Sequence, residues 1–261
     1  MQAQAENSDF SDEDIVGVFN ASGAGNFVLA CEHAANYIPA EFNNLGLSDT
    51  ALTNHIAWDP GAREVARAMA LRLDAPLVEQ HVSRLLYDCN RPPAAPSAVS
   101  VESETQKIPG NIGLSEQDRQ LRIDRFYEPF RATLTACLDQ RRDPVIVTVH
   151  SFTPVFLGVK RLVDIGILHD ADTRFADQML KVTEAEKALV VARNDPYGPD
   201  DGVTHTLVEH GLSRQLLNVM LEIRHDLIDD AASQQSMAER LSQWLVAALA
   251  QCEPAATFGS V

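Results

Sequence analysis

Short apolar runs alternate with longer amphipathic stretches along most of the chain, and this alternation leaves few folds open to it. Short apolar runs suit buried strands, whereas stretches with apolar residues at helical spacing suit helices that cover a sheet. The pattern predicts strands at 27–31, 76–80, 144–150, 162–168, 188–193 and 217–224, and helices at 60–73, 115–141, 171–184 and 234–251. Such alternation is typical of an α/β fold with a mixed, largely parallel central sheet flanked by helices.

Local signals define two helix starts and one long loop. Asp59 before Pro60 can cap a helix whose first position is proline. Ser115 and Asp118 resemble a capping box, and Pro129 inside the same predicted helix indicates a kink or break. The segment 89–113 is rich in Pro, Ala and Ser, which predicts a long loop. Long loops in compact domains are usually functional or disordered.

Length and composition favour one globular domain. The chain has 261 residues, of which 45% are hydrophobic and 22% charged. Because α/β folds of this size often form a single unit, we predict one domain at 15–252. The flanking segments 1–14 and 253–261 are polar or rich in small residues, so we predict that they are tails.

The charge and the cysteines limit the partners and the compartment. A net charge of -16 argues against nucleic acid or an anionic membrane as partner, so an anionic substrate would need a local basic pocket. The four cysteines are scattered without a CxxC pair, which fits reduced thiols in the cytoplasm. The first residues lack the pattern of a secretory signal, and no apolar run approaches membrane-spanning length.

Two histidines follow predicted strands, at the positions where open α/β sheets bind ligands. If those strands are parallel, His33 and His150 lie at the same edge of the sheet and can share a metal. Each could instead only satisfy a backbone carbonyl. A catalytic zinc takes three protein ligands, and the segment HIAWDPGA offers His55 or Asp59 as the third. The alternatives are that Asp59 only caps a helix and that His55 only packs against Trp58.

Glu222 lies within the apolar strand LNVMLEIR, where an unpaired carboxylate is costly. One interpretation is a general base that deprotonates the attacking water. The structural alternative is an ion pair with Arg224, which lies on the same strand face.

The segment SRLLYDCNRPP places Arg84, Asp88, Asn90 and Arg91 within eight positions. Guanidinium groups match the geometry of carboxylates, so this segment indicates an anion site, although both arginines could be solvated surface charges. No glycine-rich phosphate loop follows the first strand, which argues against nucleotide binding.

The motifs EHAANYIP, HIAWDPGA, SRLLYDCNRP, VHSFTP, NDPYG and LEIRHDL together resemble the N-formylglutamate amidohydrolase family. That family is similar in fold to the zinc carboxypeptidases, which have a mixed α/β sheet between helices. Asn36 departs from the carboxypeptidase pattern, which has a ligating glutamate there. More typical deformylases carry histidine where Asp59 stands, so we assign Asp59 rather than His55 as the third ligand. The resemblance implies zinc ligation by His33, Asp59 and His150 and substrate contacts by Arg84, Asn90, Arg91, Ser151 and Arg224.

The resemblance also implies an activity, the zinc-dependent hydrolysis of N-formyl-L-glutamate to formate and L-glutamate. In the resembling family this closes one route of histidine degradation. Glu222 would be the general base, and Arg84, or alternatively Arg91, would stabilise the developing oxyanion. The alternatives are a hydrolase of another N-acyl amino acid or small peptide, of carboxypeptidase or amidase type, and a non-catalytic dicarboxylate-binding protein.

Overall fold

The computed structural model of the protein describes residue 11 and residues 14–252. Its strands are β1 (Val16–Phe19), β2 (Phe27–Cys31), β3 (Leu77–Gln80), β4 (Glu102–Ser103), β5 (Gln106–Lys107), β6 (Val145–Phe152), β7 (Val155–Phe156), β8 (Val159–Lys160), β9 (Ile165–Leu168), β10 (Val191–Arg193) and β11 (Asn218–Arg224). Its α-helices are α1 (Asp49–Leu52), α2 (Ala62–Arg72), α3 (Glu116–Arg122), α4 (Glu128–Asp139), α5 (Arg174–Thr183) and α6 (Ala231–Leu249).

The central sheet has seven strands in the order β1-β3-β2-β6-β11-β9-β10. Four consecutive strands in this order, β3, β2, β6 and β11, run parallel to one another. β1 is antiparallel to β3, and β9 is antiparallel to β11 but parallel to β10. The prediction of a mixed, largely parallel α/β sheet is therefore confirmed. The carboxyl ends of the four parallel strands meet at one edge.

Each face of the sheet is covered by its own apolar core. In β6, Val145, Val147 and Val149 belong to the core beneath α2, α5 and α6, whereas Ile146 belongs to the core beneath α4. Every residue of β6 is buried, as expected for a strand covered on both faces. The period of two places Thr148 and His150 on the same face as Ile146, so His150 reaches the sheet edge on the α4 side.

The predicted helix 115–141 is present but has a wide turn within it. Ser115 and Asp118 exchange both bonds of a capping box at the start of α3. A π-helical turn at Ile123–Tyr127 then joins α3 to α4, and Pro129 lies in the first turn of α4. The backbone stays helical through this junction, with Tyr127 at φ -79° and ψ -51°, so the wider π turn accommodates the missing amide hydrogen of Pro129 inside a continuous helix.

The helix α2 starts later than predicted, so the side chain of Asp59 is not needed as its cap. The helix begins at Ala62, and its N-cap is Gly61, which has a φ of 77° and makes no side-chain cap. A Cβ on Gly61 would lie 2.5 Å from the carbonyl oxygen of Ile228, so this position suits glycine both in conformation and in space. The carboxylate of Asp59 therefore does not cap α2.

β1 and the hairpins β4–β5 and β7–β8 were not among the predicted elements. The predicted tail 253–261 lies outside the described residues, as do residues 1–10 and 12–13 of the predicted N-terminal tail. Among the helices that the structure describes, none combines the length and apolar character needed to span a membrane. The four cysteines are unpaired, and three of them are buried.

Candidate active site

Three potential metal ligands meet at the sheet edge where β2 and β6 end. His33 comes shortly after β2, His150 lies on β6, and Asp59 reaches the same point from the turn before α2. Oδ2 of Asp59 lies 3.2 Å from Nδ1 of His33 and 3.0 Å from Nδ1 of His150. The two Nδ1 atoms are 3.2 Å apart. All three side chains are buried.

These separations fit a shared cation. Zinc binds nitrogen and oxygen at about 2.0–2.1 Å in a tetrahedron, so neighbouring donor atoms of a zinc site lie about 3.3 Å apart. Two imidazole nitrogens at 3.2 Å need a cation or a shared proton between their lone pairs. His33, Asp59 and His150 can therefore hold a metal ion, and two imidazoles with one carboxylate suit zinc and similar divalent ions.

A carboxylate lies behind each imidazole. Nε2 of His33 is 2.7 Å from Oδ1 of Asp88, and Nε2 of His150 is 3.2 Å from Oε2 of Glu32. The first contact is a hydrogen bond, whereas the second is at ion-pair distance outside hydrogen-bond geometry. Outer carboxylates of this kind fix the tautomer and the orientation of metal-binding histidines.

The carboxylates around the two imidazoles favour positive charge at this point. Burial lowers the pKa of His33, but Asp88 and Asp59 raise it overall. Burial also lowers the pKa of His150, yet Glu32 and Asp59 raise it well above its ordinary value. Conversely, burial raises the pKa of Asp59, but His33 and His150 hold it well below its ordinary range. Protons or a metal cation can supply the charge that this group requires.

Glu222 lies beside His150 across the paired strands β11 and β6. It is 6% exposed, and its Oε2 has no hydrogen-bond partner within the described part of the chain. Burial raises the pKa of Glu222 to about 7, with Asp59 adding to the rise while His150 opposes it. A buried carboxyl group that titrates near neutrality and lines a pocket suits general base chemistry.

Arg84 lies between Asp59, one of the three potential metal ligands, and Asp88, the carboxylate behind His33. Its guanidinium forms an ion pair with Asp88, and its Nη1 lies 3.6 Å from Oδ1 of Asp59. Burial lowers the pKa of Arg84, but the two aspartates raise it, so it remains charged. These contacts hold the guanidinium beside the metal group, where its remaining N–H groups can meet an anionic ligand.

The other predicted substrate contacts line the same pocket, but they differ in how many of their polar atoms are already hydrogen-bonded within the protein. Arg91 makes no ion pair among the residues that the structure describes, and its Nη1 donates to the carbonyl of Asn90. The side-chain amide of Asn90 is already occupied, since it donates to the carbonyl of Val203 and accepts from the backbone N–H of Thr206. Ser151 donates its hydroxyl to the carbonyl of Pro60. Of these three residues, Arg91 is thus the one best placed to bind a substrate carboxylate.

Arg224, which the sequence predicts as a substrate contact, is paired with two aspartates outside the pocket lining. Its guanidinium contacts Asp164 at 2.6 Å and Asp226 at 2.7 Å, and it does not line the pocket. The alternative ion pair between Glu222 and Arg224 is not formed either. Arg224 ends β11, so its side chain turns toward the two flanking aspartates rather than toward the sheet edge.

His55 and Asn36 have other partners and are not among the three clustered ligands. Nε2 of His55 is 2.6 Å from Oε1 of Glu104 in the pocket wall, so this histidine has a carboxylate partner and is not one of the clustered ligands. The side-chain amide of Asn36 donates to the carbonyl of Leu52. The geometry therefore favours Asp59 over His55 as the third ligand.

A cavity of about 320 Å³ opens over these groups. Its inner part contains the three ligands with Glu222 and Arg84, and its outer wall comes largely from the loop before and within the β4–β5 hairpin. The polar residues of that wall are Ser97, Ser100, Glu102, Ser103 and Glu104. The long loop predicted at 89–113 therefore forms one side of the pocket.

Gly166 on β9 shapes the opposite wall. A Cβ at this position would lie 2.4 Å from the carbonyl oxygen of Asp195 and 3.2 Å from Cβ of Glu222. The missing side chain lets the 194–197 segment pass close to the sheet, and Tyr197 at its end lines the pocket. The hydroxyl of Tyr197 accepts a hydrogen bond from Arg161 at 2.8 Å.

The sequence predicts no role for Glu32, Asp88 or Tyr197, although all three lie in the quoted motifs. A carboxylate directly after a buried apolar strand is the one sequence signal that could have marked Glu32. Nothing in the sequence says which histidine each buried carboxylate meets, because that depends on strand order.

Comparisons with known proteins agree with the resemblance seen in the sequence motifs. The family model described as N-formylglutamate amidohydrolase matches residues 25–229. The crystal structure of gene product Atu2144 from Agrobacterium tumefaciens is similar, with 50% identity and a TM-score of 0.90 over 92% of this chain and 96% of that chain. The N-formylglutamate amidohydrolase from Ralstonia eutropha JMP134 shares the fold, with 19% identity and a TM-score of 0.62 over 89% and 98% of the two chains. A search of curated proteins gives no match.

Proposed function

Because this chain belongs to the N-formylglutamate amidohydrolase family, we propose that it is a zinc-dependent amidohydrolase that removes the acyl group from an N-acyl amino acid. The first candidate substrate is N-formyl-L-glutamate, with formate and L-glutamate as products. The observation that carries the proposal is the buried His33–Asp59–His150 group, with Glu222 beside it in one pocket. The four unpaired cysteines agree with a reducing compartment such as the cytoplasm.

The contacts of each side chain indicate its role in the proposed reaction. Bound zinc would supply Lewis acidity and lower the pKa of the attacking water. Glu222, which has no hydrogen-bond partner on Oε2 among the described residues, accepts the proton of that water and returns it to the leaving nitrogen. Arg84 is held beside the metal group by Asp59 and Asp88 and stabilises negative charge on the acyl oxygen. Arg91 binds a substrate carboxylate.

The outer wall supports a second candidate, an N-acyl amino acid with an uncharged polar side chain. Arg91 has no carboxylate partner among residues 14–252, whereas Glu102 and Glu104 add negative charge to the wall. His55 offsets Glu104 only when it is protonated. A second carboxylate on the substrate would therefore meet an acidic wall unless it reached Arg84 or Arg91.

A substrate panel on zinc-loaded protein separates these possibilities. We expect hydrolysis of N-formylglutamate, measured as released formate, to exceed that of N-acetylglutamate and N-succinylglutamate. N-formylglutamine tests the second candidate, because it replaces only the side-chain carboxylate. A dicarboxylate-binding protein would bind N-formylglutamate in calorimetry without releasing formate, and protein without stoichiometric metal would contradict the proposed mechanism.

Replacing Arg91 should weaken substrate binding rather than the chemical step. A hydrogen bond to a charged group contributes about 1.5–3 kcal/mol, so Arg91→Ala should raise KM for N-formylglutamate about 10–100-fold with a smaller change in kcat. The same substitution should change KM little for whichever monoamide, N-formylglutamine or N-formylisoglutamine, lacks the carboxylate that Arg91 contacts. Arg142→Ala, at an exposed arginine outside the pocket, is the control. Equal KM changes for all three substrates would show that Arg91 does not bind a carboxylate.

A further inference from the structure

Glu32 is a fully buried carboxylate with few contacts to compensate its charge. It is 0% exposed, and although the imidazole of His150 and the hydroxyl of Thr206 lie on its side of the sheet edge and favour its charge, neither oxygen makes a hydrogen bond of regular geometry within the described residues. Its Oε2 forms an ion pair with Nε2 of His150 at 3.2 Å. Burying a carboxylate is costly unless another group compensates for its lost hydration. The position of Glu32 therefore calls for a role that needs its charge.

The sheet places Glu32 against His150. β2 and β6 are parallel, with Ala30 opposite Thr148. Continuing this register by two residues brings Glu32 beside His150 on the same face, since side chains alternate with period two. Glu222 flanks His150 from the other side, on β11. His150 thus lies between two carboxylates of neighbouring strands, one on each side.

The two flanking carboxylates differ in what they can reach. Glu222 lines the pocket, whereas Glu32 does not. Glu32 cannot serve as a base for a substrate from that position. Its only charged neighbour at contact distance in the described structure is the imidazole whose Nδ1 faces His33 and Asp59.

We propose that Glu32 is a positioning residue of the metal centre, whose carboxylate pairs with the Nε2 side of His150 and keeps Nδ1 directed toward the metal. The inference rests on the metal site of the proposed function. A carboxylate behind a metal-binding histidine fixes the orientation of the ring, which here keeps Nδ1 of His150 facing His33 and Asp59.

Asp88 occupies the corresponding place behind His33 but makes further contacts. It pairs with Arg84 and accepts the backbone N–H of Asn90, so replacing it would disturb the pocket as well as the ligand. Glu32 has neither contact. Its removal should therefore change metal binding without changing substrate binding, which separates the two roles experimentally.

The test compares zinc affinity in matched variants. Zinc is removed with a chelator and the dissociation constant is measured by competition with a chromophoric chelator. We expect Glu32→Gln to bind zinc about 10–100-fold more weakly than the natural sequence, the usual effect of losing an outer carboxylate. Glu32→Asp keeps the charge with a shorter reach and should lose less. At saturating zinc, KM should be unchanged in Glu32→Gln.

Glu79→Gln is the matched control. Glu79 is also buried, but both its oxygens bond to the guanidinium of Arg67 at 2.7 Å, and it does not line the pocket. It should lower the melting temperature and leave zinc affinity unchanged. A nitrogen-15 spectrum of zinc-loaded protein should show His150 protonated at Nε2, with that proton exchanging faster in Glu32→Gln.

The outcomes separate the inference from the proposed function. Natural zinc affinity in Glu32→Gln, or equal weakening in Glu79→Gln, would overturn the positioning role while leaving the amidohydrolase proposal intact. Failure of the natural protein to bind zinc would overturn both. Zinc binding without hydrolysis of any N-acyl amino acid would overturn the proposed function alone. If Glu32→Gln does not fold, the comparison of Glu32→Asp with Glu79→Gln decides the question.

Discussion

Glu222→Gln is expected to lower kcat for N-formylglutamate about 10²–10⁴-fold while zinc content and fold are kept. Glutamine preserves the volume of the side chain and removes the proton acceptor. Because Arg224 pairs with Asp164 and Asp226, the substitution does not leave that cation unpaired. Steady-state kinetics, metal analysis and thermal melts on one preparation measure all three quantities. A variant that melts early but turns over normally per folded molecule would remove Glu222 from the mechanism.

The raised pKa of Glu222 adds a pH test on the metal-free protein. Burial raises this pKa from 4.5 to about 7, so the folded state holds the proton more tightly than the unfolded chain does. Folding stability from this group is present at acidic pH and is lost as the pH rises through 7. Relative to Glu222→Gln, the natural protein should therefore become less stable between pH 5 and pH 8. An unchanged difference in melting temperature would indicate that the carboxyl titrates normally.

Asp59→Ala is expected to abolish stoichiometric zinc binding and, with it, hydrolysis. Removing one of three clustered ligands should weaken zinc by more than the 10–100-fold typical of an outer residue. His55→Ala is the matched control, since His55 lines the same pocket but pairs with Glu104 instead. Metal emission spectroscopy and competition titrations measure both variants. If His55→Ala is the metal-poor protein, the third ligand has been assigned to the wrong residue.

Asp59→Asn helps to separate ligation from local structure. Asp59 also accepts the backbone N–H of Ser151 through the oxygen that faces the two histidines. Asparagine can keep that hydrogen bond but is a poor zinc ligand. A melting temperature close to that of the natural protein, together with lost zinc, would assign the effect of Asp59→Ala to ligation.

The sheet and the two histidines could be predicted because both depend on local sequence patterns. Apolar runs mark strands, and a polar residue at the end of such a run marks the sheet edge, which is how His33 and His150 were identified. From the residues alone Asp59 is either a helix cap or a metal ligand, and no local signal shows that the helix starts two residues later, with Gly61 at a positive φ as its N-cap. The aspartate partners of Arg224 could not be predicted, because period two fixes a strand face but not the contacts beyond the end of the strand.

The outer carboxylates could not be predicted for a different reason. Glu32 meets His150 only because β2 lies next to β6, and Asp88 meets His33 from a segment that belongs to neither strand. Both contacts join residues more than fifty positions apart in the chain, so no local pattern reports them. Strand order is a property of the whole fold.

The register between β6 and β11 limits which insertions this protein can tolerate during evolution. His150 and Glu222 are held side by side by backbone hydrogen bonds, so a one-residue insertion in either strand would turn one of them to the opposite face. The outer wall of the pocket comes instead from the loop around β4 and β5, which tolerates changes in length far better. Exchange of that loop between relatives should therefore alter which substrate fits without altering the three clustered ligands. The residues proposed for the reaction and those proposed for substrate choice can thus evolve separately.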